Sequence, residues 1–315
     1  MSSELIQVAP GVWRIRLGDP ERFTPAALQE IPPRIEALQA MGDAQPPFAL
    51  GDIAFRTTAR GCIVELPLDG REQIFGLGLQ LKSFNQTLLK KHLRTNSDPV
   101  SDTGDSHAPV PFYVSTRGYG VLVDTARYAS VYVGSHVRVG QGKSAAEATA
   151  ATQAWNMTEL VAQRNPGRRA VIADVPVARG IDVYLFAGPA LGDAVRRYVL
   201  FSGGGCLLPM WGLGIWYRVD YRSNAQHVLN LATTFRQSQM PCDVLGLEPW
   251  WHSHSYSCTY EWNPALFPEP EALIEKTRSM GYKLNLWEHA FIHPASPLYE
   301  KLKPHAGDFE VWDGL

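Results

Sequence analysis

Two glutamates close apolar, strand-like runs in the last third of the chain: Glu248 in "CDVLGLEPWW" and Glu288 in "KLNLWEHAF". A carboxylate that ends such a run carries a desolvation cost unless something uses its charge. On neighbouring strand ends the two would make a general acid/base pair. Glycoside hydrolysis asks for carboxyl groups about 5–5.5 Å apart for retention, or roughly 6.5–9.5 Å for inversion. A third run, "MWGLGIWYRVDY", ends in Arg218 and Asp220. The histidines suggest another chemistry. His252 and His254 would share one face of an extended "HSH", and His289 and His293 lie four apart beside Glu288. Zinc in a metal-dependent hydrolase accepts such nitrogen and oxygen donors. Hydrogen-bonding histidines beside a polar ligand are the commoner use of such a pattern, so neither a metal nor another cofactor is expected.

Trp211, Trp216, Trp250, Trp251, Trp262 and Trp287 gather in the same region. Trp211 and Trp216 are expected to fill the floor between the strands. Trp250, Trp251 and Trp287 fall at strand ends, where an indole face suits a sugar ring. "FGLGLQ" is not followed by a helix and "GGG" at Gly203 to Gly205 reads as linker, so no phosphate-binding loop is present.

The elements that must position these groups change character along the chain. From Ile6 to about Ala187, short runs such as "GVWRIRL", "IAFRTTARGCIVELPL" and "RAVIADVPVARGIDVYLFAG" alternate apolar and polar residues between turns, which predicts strands of an antiparallel β-sandwich. Residues 25–42 read as a helical or irregular insert limited by Pro32 and Pro33, and 79–110 as a long polar loop with a functional use. Beyond a helical stretch, Ala190 to Leu200, and the "GGGCLLP" linker, strand and helix patterns alternate, with starts near Ser223 and Glu269 and a stop at Gly281. Repeating βα units predict parallel strands, with chemistry at their carboxyl ends. Leu208 to Leu315 holds only about three units, against the ~250 residues of a closed (β/α)8 barrel. The reading is an incomplete barrel, the front part of a longer protein, with a β-sandwich domain over 1–207 and the barrel segment over 208–315.

Composition excludes several classes. The chain of 315 residues is 45% hydrophobic and 19% charged, with 29 basic against 31 acidic residues, so neither nucleic acid nor an anionic membrane is an expected partner. Four dispersed cysteines read as free thiols. The amino terminus carries no basic stretch followed by an apolar core, and no window approaches the ~18 apolar residues of a spanning helix. A cytoplasmic protein is expected.

Several stretches, in order, resemble glycoside hydrolase family 31, the α-glucosidases and α-xylosidases: "FGLGLQLKSFNQ", "RTNSDP", "VPFYVSTRGYGVLVDT" and "DVYLFAGPALGDAVRRYVLFSGGGCLLPMWGLGIWYR". The resemblance implies a galactose-mutarotase-like sandwich, then a (β/α)8 barrel whose second strand usually ends in Asp-x-Asp-Tyr. Here "LEPWW" takes that place, with Glu248 where the first, sugar-holding aspartate stands, one methylene longer, and Trp250 where the second does. Asp98 matches the family residue that reaches from the sandwich loop to the sugar. Trp287 is retained from the third-strand pattern, whereas Glu288 and His289 depart from it. The implied substrate contacts are Asp98, Glu248, Trp251, Trp287 and His289, and the implied ligand is an α-linked oligosaccharide or glycoside. The family's nucleophile and acid/base belong to later strands, beyond Leu315, so this chain is expected to be inactive alone. The Glu248 and Glu288 pair is then better read as substrate-binding. A non-catalytic carbohydrate-binding protein is the rival reading.

Overall fold

The computed structural model describes residues 4–80, 83–95, 105–106, 108–137, 169–289 and 291–305. The chain divides into two compact units, Met1–Gly205 and Cys206–Leu315. In the first, the strands are β1 (Glu4–Ala9), β2 (Val12–Asp19), β3 (Ala54–Thr57), β4 (Gly61–Pro67), β5 (Ile74–Gly76), β6 (Lys90–Thr95), β7 (Asp105–Ser106), β8 (Phe112–Ser115), β9 (Tyr119–Asp124), β10 (Ser130–Val137), β11 (Arg169–Pro176) and β12 (Arg179–Ala187). They form two six-stranded sheets, ordered β1-β2-β12-β9-β8-β5 and β3-β4-β11-β10-β6-β7. All described pairings in them are antiparallel except β6 with β7.

The period-two pattern explains the packing. Ile15 and Leu17 of β2 and Val121 and Val123 of β9 meet Cys62, Val64 and Leu66 of β4 and Val171, Ala173 and Val175 of β11 in one core, because alternate side chains leave a strand on the same face. β12 is buried on both faces. Ile181, Val183 and Leu185 enter that core, while Tyr184 and Phe186 belong to a second cluster with Leu38 and Ala194. Leu38 lies on helix α1 (Ile35–Ala40) and Ala194 on α2 (Leu191–Phe201). Tyr198 of α2 stacks on Phe112 with centroids 3.8 Å apart. Arg197 is buried beside them and donates to the carbonyls of Ala187 (2.5 Å) and Gly42 (2.8 Å). Gly11 has φ +67°, and a Cβ there would strike the guanidinium.

The two segments read as an insert and as a loop take definite forms. The 25–42 insert is helical only over Ile35–Ala40, just after Pro32 and Pro33. Its start is tied instead to buried Asp124, which accepts from Thr24 Oγ1 (2.6 Å) and Ala26 N (2.9 Å). The 79–110 segment is not all loop: Lys90–Thr95 pairs with β10 and puts Leu93 into the core. Its lysines hid a strand whose inward face carries Leu93 and, two residues before it, buried Lys91.

The second unit holds a parallel sheet ordered β13 (Trp216–Arg218), β14 (Val244–Leu247) and β15 (Lys283–Leu286). Helix α3 (Ala225–Gln237) joins β13 to β14, and α4 (Pro270–Ser279) joins β14 to β15, as parallel neighbours require a crossover. The start of α3 is capped by Asn224, one residue after the expected Ser223, through Oδ1 to His227 N at 2.9 Å. Val228, Ala232 and Phe235 form its buried stripe. Helix α4 begins with Pro270 and ends before Gly281 at φ +85°. Arg236 lies over the Tyr282 ring at 3.7 Å, and the Tyr282 hydroxyl donates to Ala232 O at 2.9 Å, fixing α3 to the start of β15. Trp211 and Trp216 are 41% and 51% exposed, and Trp216 lies on β13, on the face away from the helices. No helix among the described residues is long and apolar enough to cross a membrane.

Candidate functional site

Register decides which side chains share the strand ends. Arg218 pairs with Gly246 and Gly246 with Asn285; Tyr217 pairs with Leu245 and Leu245 with Leu284. Paired residues of parallel strands lie on one face. Leu245, Leu247, Leu284 and Leu286 pack with the helices, so Arg218, Gly246 and Asn285 occupy the opposite face. The ladder runs one step past β15, since Trp287 N donates to Leu247 O at 2.9 Å. Alternation therefore sets Glu248 on the face of Trp287 and turns Glu288 away. Their charges act accordingly: that of Glu248 on Arg218, that of Glu288 on His252 and Tyr260. Glu248 and Glu288 thus leave their strands on opposite faces.

Glu248 precedes Pro249, which disfavours the helical region for it and holds it extended at φ −78° and ψ 170°. A single 3-10 turn, Pro249–Trp251, follows. The Glu248 side chain is 10% exposed and accepts from Arg218 Nη2 at 2.5 Å. That hydrogen bond, with the carboxylate charge behind it, holds the Arg218 guanidinium above its ordinary pKa. Gly246 adds no side chain to this face: the atoms nearest to a Cβ there would be Tyr217 O (3.7 Å), Asn285 Oδ1 (3.8 Å) and Arg218 Cα (4.0 Å), all at ordinary contact distance.

Trp251 and His252 are buried and act on Trp287 from behind. Trp251 Nε1 donates to Trp287 O at 2.8 Å, and the Trp251 and His252 rings stack with centroids 3.7 Å apart. His252 Nδ1 accepts from Tyr260 N at 3.1 Å and its Nε2 faces Trp287 O at 3.2 Å. A carbonyl only accepts, so the partners assign the proton to Nε2 of a neutral ring. Burial lowers the imidazole pKa.

The "HSH" histidines do not converge. His254 faces Ser257 O through Nδ1 (3.0 Å) and stacks against His293 at 4.0 Å. His289 and His293 each accept from a backbone N–H two residues on, from Phe291 and Ala295, both at 3.1 Å. Among the described residues no three His, Cys, Asp or Glu are grouped to hold a metal ion.

Backbone bonds strap the loop after β14 to the loop after β15: Cys258 N to Phe291 O and His293 N to Cys258 O, both 2.9 Å. The Tyr260 hydroxyl adds a bond to His289 O. These straps bring in a residue that the sequence did not flag. Tyr256, 69% exposed, lies 5.4 Å from the Trp287 ring and 6.1 Å from His289. Its electrostatic reach extends to Arg218. No local pattern marks it, since it stands in a Ser-rich turn. On the same loop is a cavity of about 310 Å³, walled by Trp250, His254, Tyr256 and Asn263 among others. Of the expected contacts, Glu248, Trp287 and His289 are thus gathered at neighbouring strand ends, Trp251 braces them from inside, and Asp98 lies outside the described residues.

Residues 205–310 match the model of the glycosyl hydrolases family 31 TIM-barrel domain. The chain is 25% identical over 253 residues to the α-xylosidase XylQ of Lactiplantibacillus pentosus, covering 77% of this chain and 29% of that protein. It is 35% identical over 106 residues to human neutral α-glucosidase AB, covering 33% of this chain and 11% of the relative. A Flavobacterium johnsoniae family 31 dextranase complexed with isomaltotriose superposes with a TM-score of 0.63 at 15% identity, covering 91% of this chain and 38% of that one. The α-xylosidase of Xanthomonas citri superposes with a TM-score of 0.62 at 13% identity, over 96% and 49%. The chain therefore spans under a third of the length of these curated relatives.

Proposed function

Because the chain belongs to glycoside hydrolase family 31, we propose that it forms the sugar-holding part of a retaining α-glycoside hydrolase. In this reading the two six-stranded sheets are the galactose-mutarotase-like sandwich, and β13 to β15 are the first three strands of a (β/α)8 barrel. One observation carries it: a shielded carboxylate, Glu248, ends the middle strand on the face of Arg218 and Trp287, away from the helices. Glu248 accepts from sugar hydroxyls, since an ionised acceptor roughly doubles the strength of such hydrogen bonds. Arg218 neutralises it when no sugar is bound. The Trp287 and Tyr256 rings offer apolar faces to the axial C–H groups of the pyranose. The nucleophile and the acid/base are assigned to barrel strands other than these three. An α-linked glucosyl or xylosyl unit is the proposed substrate class. Support comes from relatives named α-xylosidase and from a structural neighbour that holds isomaltotriose.

The test is calorimetric titration of the 315-residue chain with isomaltotriose and with an aryl α-xyloside. Glu248→Ala should weaken binding roughly tenfold or more, the loss of a hydrogen bond to a charged group, with a nearly unchanged melting temperature. Unaltered affinity in a folded Glu248→Ala protein overturns the clamp.

A further inference from the structure

Arg117 stands in the turn between β8 and β9 and lines a cavity of about 410 Å³ in the first unit. We infer that this cavity is a binding site for a small monocarboxylate with an apolar body. The site rests on the geometry of the first unit and is independent of the glycosidase reading. Three segments build it. The β8–β9 turn packs on the link between β12 and α2 because Gly118, at φ +84°, has no Cβ: one there would lie 2.6 Å from Gly188 O and 3.1 Å from Pro189 C. Ala187 pairs with Tyr119 and fixes the link to the turn. The third wall, residues 44–47, is tied to the start of β2, where Trp13 Nε1 donates to Ala44 O and Gly11 N donates to Asp43 Oδ1, both at 3.0 Å. The walls are therefore held by bonds that no ligand has to make.

The lining selects the ligand. Among the described residues, Arg117 is the only charged one in the wall, and no described carboxylate pairs with its guanidinium. The acidic residues next to the walls are committed elsewhere. Asp43 accepts from Gly11 N and Ala44 N, Asp193 accepts from Ala190 N at 3.2 Å, and Glu72 accepts from Asp69 N at 2.7 Å and from the Ser115 hydroxyl. None of the three lines the cavity. One unpaired guanidinium balances one negative charge, and its planar fork matches the two oxygens of a carboxylate. A phosphate dianion would keep a charge that no second cation meets. Around the guanidinium, Ala44, Pro47, Ala187 and Pro189 offer apolar surface, and Gln45 adds a neutral amide. An apolar lining with a few placed polar groups, in a cavity of this size, is the usual make-up of a small-molecule site.

The experiment is calorimetric titration of the full 315-residue chain, near neutral pH, with 3-phenylpropanoate, with its neutral amide and with inorganic phosphate, in the wild type, Arg117→Gln and Ala44→Leu proteins. The carboxylate should bind saturably to the wild type. Arg117→Gln should weaken it at least about tenfold, the loss of a forked, charge-assisted pair. Ala44→Leu should weaken it at least about threefold by occupying the cavity. Melting temperatures should hold in both variants, because the bonds of Arg117 and Ala44 to the fold are made by their backbones. The amide should bind the wild type at least about tenfold more weakly than the carboxylate, and phosphate more weakly than either. The site is overturned by the absence of saturable carboxylate binding, by equal affinity in the wild type and a folded Arg117→Gln protein, or by an amide as tight as the carboxylate. Phosphate binding as tightly as the carboxylate overturns the ligand class.

Discussion

His252 is a buried imidazole with both nitrogens committed, one accepting from Tyr260 N and one directed at Trp287 O. Acid is therefore the perturbation to apply. Protonating Nδ1 would abolish its role as acceptor for Tyr260 N–H and place a charge beneath the Trp251 ring, and burial already lowers the folded pKa. The unfolded chain holds the same histidine at about 6.5. Below that value the unfolded state takes up a proton that the folded state resists, so the stabilising contribution is complete above about pH 6.5 and is lost as the pH falls toward the folded pKa. The slope within that window is at most about 1.4 kcal/mol per pH unit. The second unit should thus lose stability through this group as the pH falls below about 6.5. The assay is urea unfolding followed by tryptophan fluorescence at a series of pH values; all tryptophans but Trp13 and Trp155 belong to that unit. His252→Gln removes the titration. It should cost roughly 1–3 kcal/mol at neutral pH for the disturbed hydrogen bonds and flatten the acid limb. An acid limb of equal slope in wild type and His252→Gln would refute the assignment of a neutral, committed His252.

Three further outcomes follow from other parts of the molecule. Gly246→Ala should raise stability by roughly 0.5–1 kcal/mol in urea unfolding, because the position does not need a positive φ, yet weaken glycoside binding several-fold in the same titrations by filling the face beside Glu248. Arg197→Met keeps the bulk but withdraws donors from the Ala187 and Gly42 carbonyls; it should destabilise the first unit by roughly 2–4 kcal/mol, read as the unfolding midpoint by circular dichroism. Thiol labelling of the native protein near neutral pH should modify exposed Cys206 alone. Burial pushes the Cys62 thiol up to about 11, and Cys242 and Cys258 are also buried, so these three should react only on unfolding, as mass spectrometry will show.

Much of this architecture is legible residue by residue. "GVWRIRL" is β2, "RAVIADVP" is β11 and "RGIDVYLFA" is β12, because period-two alternation is a local signal that burial reinforces. The α3 stripe of Val228, Ala232 and Phe235 is legible for the same reason at period 3.6. Lys90–Thr95 was hidden because two lysines open it, one of them, Lys91, buried on the face of Leu93.

The candidate site divides along the same line. The sequence by itself determined that a carboxylate, Glu248, ends the second parallel strand, and Pro249 determined that its backbone is extended there. Only the tertiary structure decided its company. Strand register is a relation between segments far apart in the chain, and a one-residue step exchanges faces. That step gives Glu248 the neighbours Arg218 and Trp287 and sends Glu288 toward His252 and Tyr260. Likewise His252 reads as a candidate metal ligand until folding brings Tyr260 N and Trp287 O to its two nitrogens. Tyr256 becomes part of the site only once the loops after β14 and β15 are strapped together.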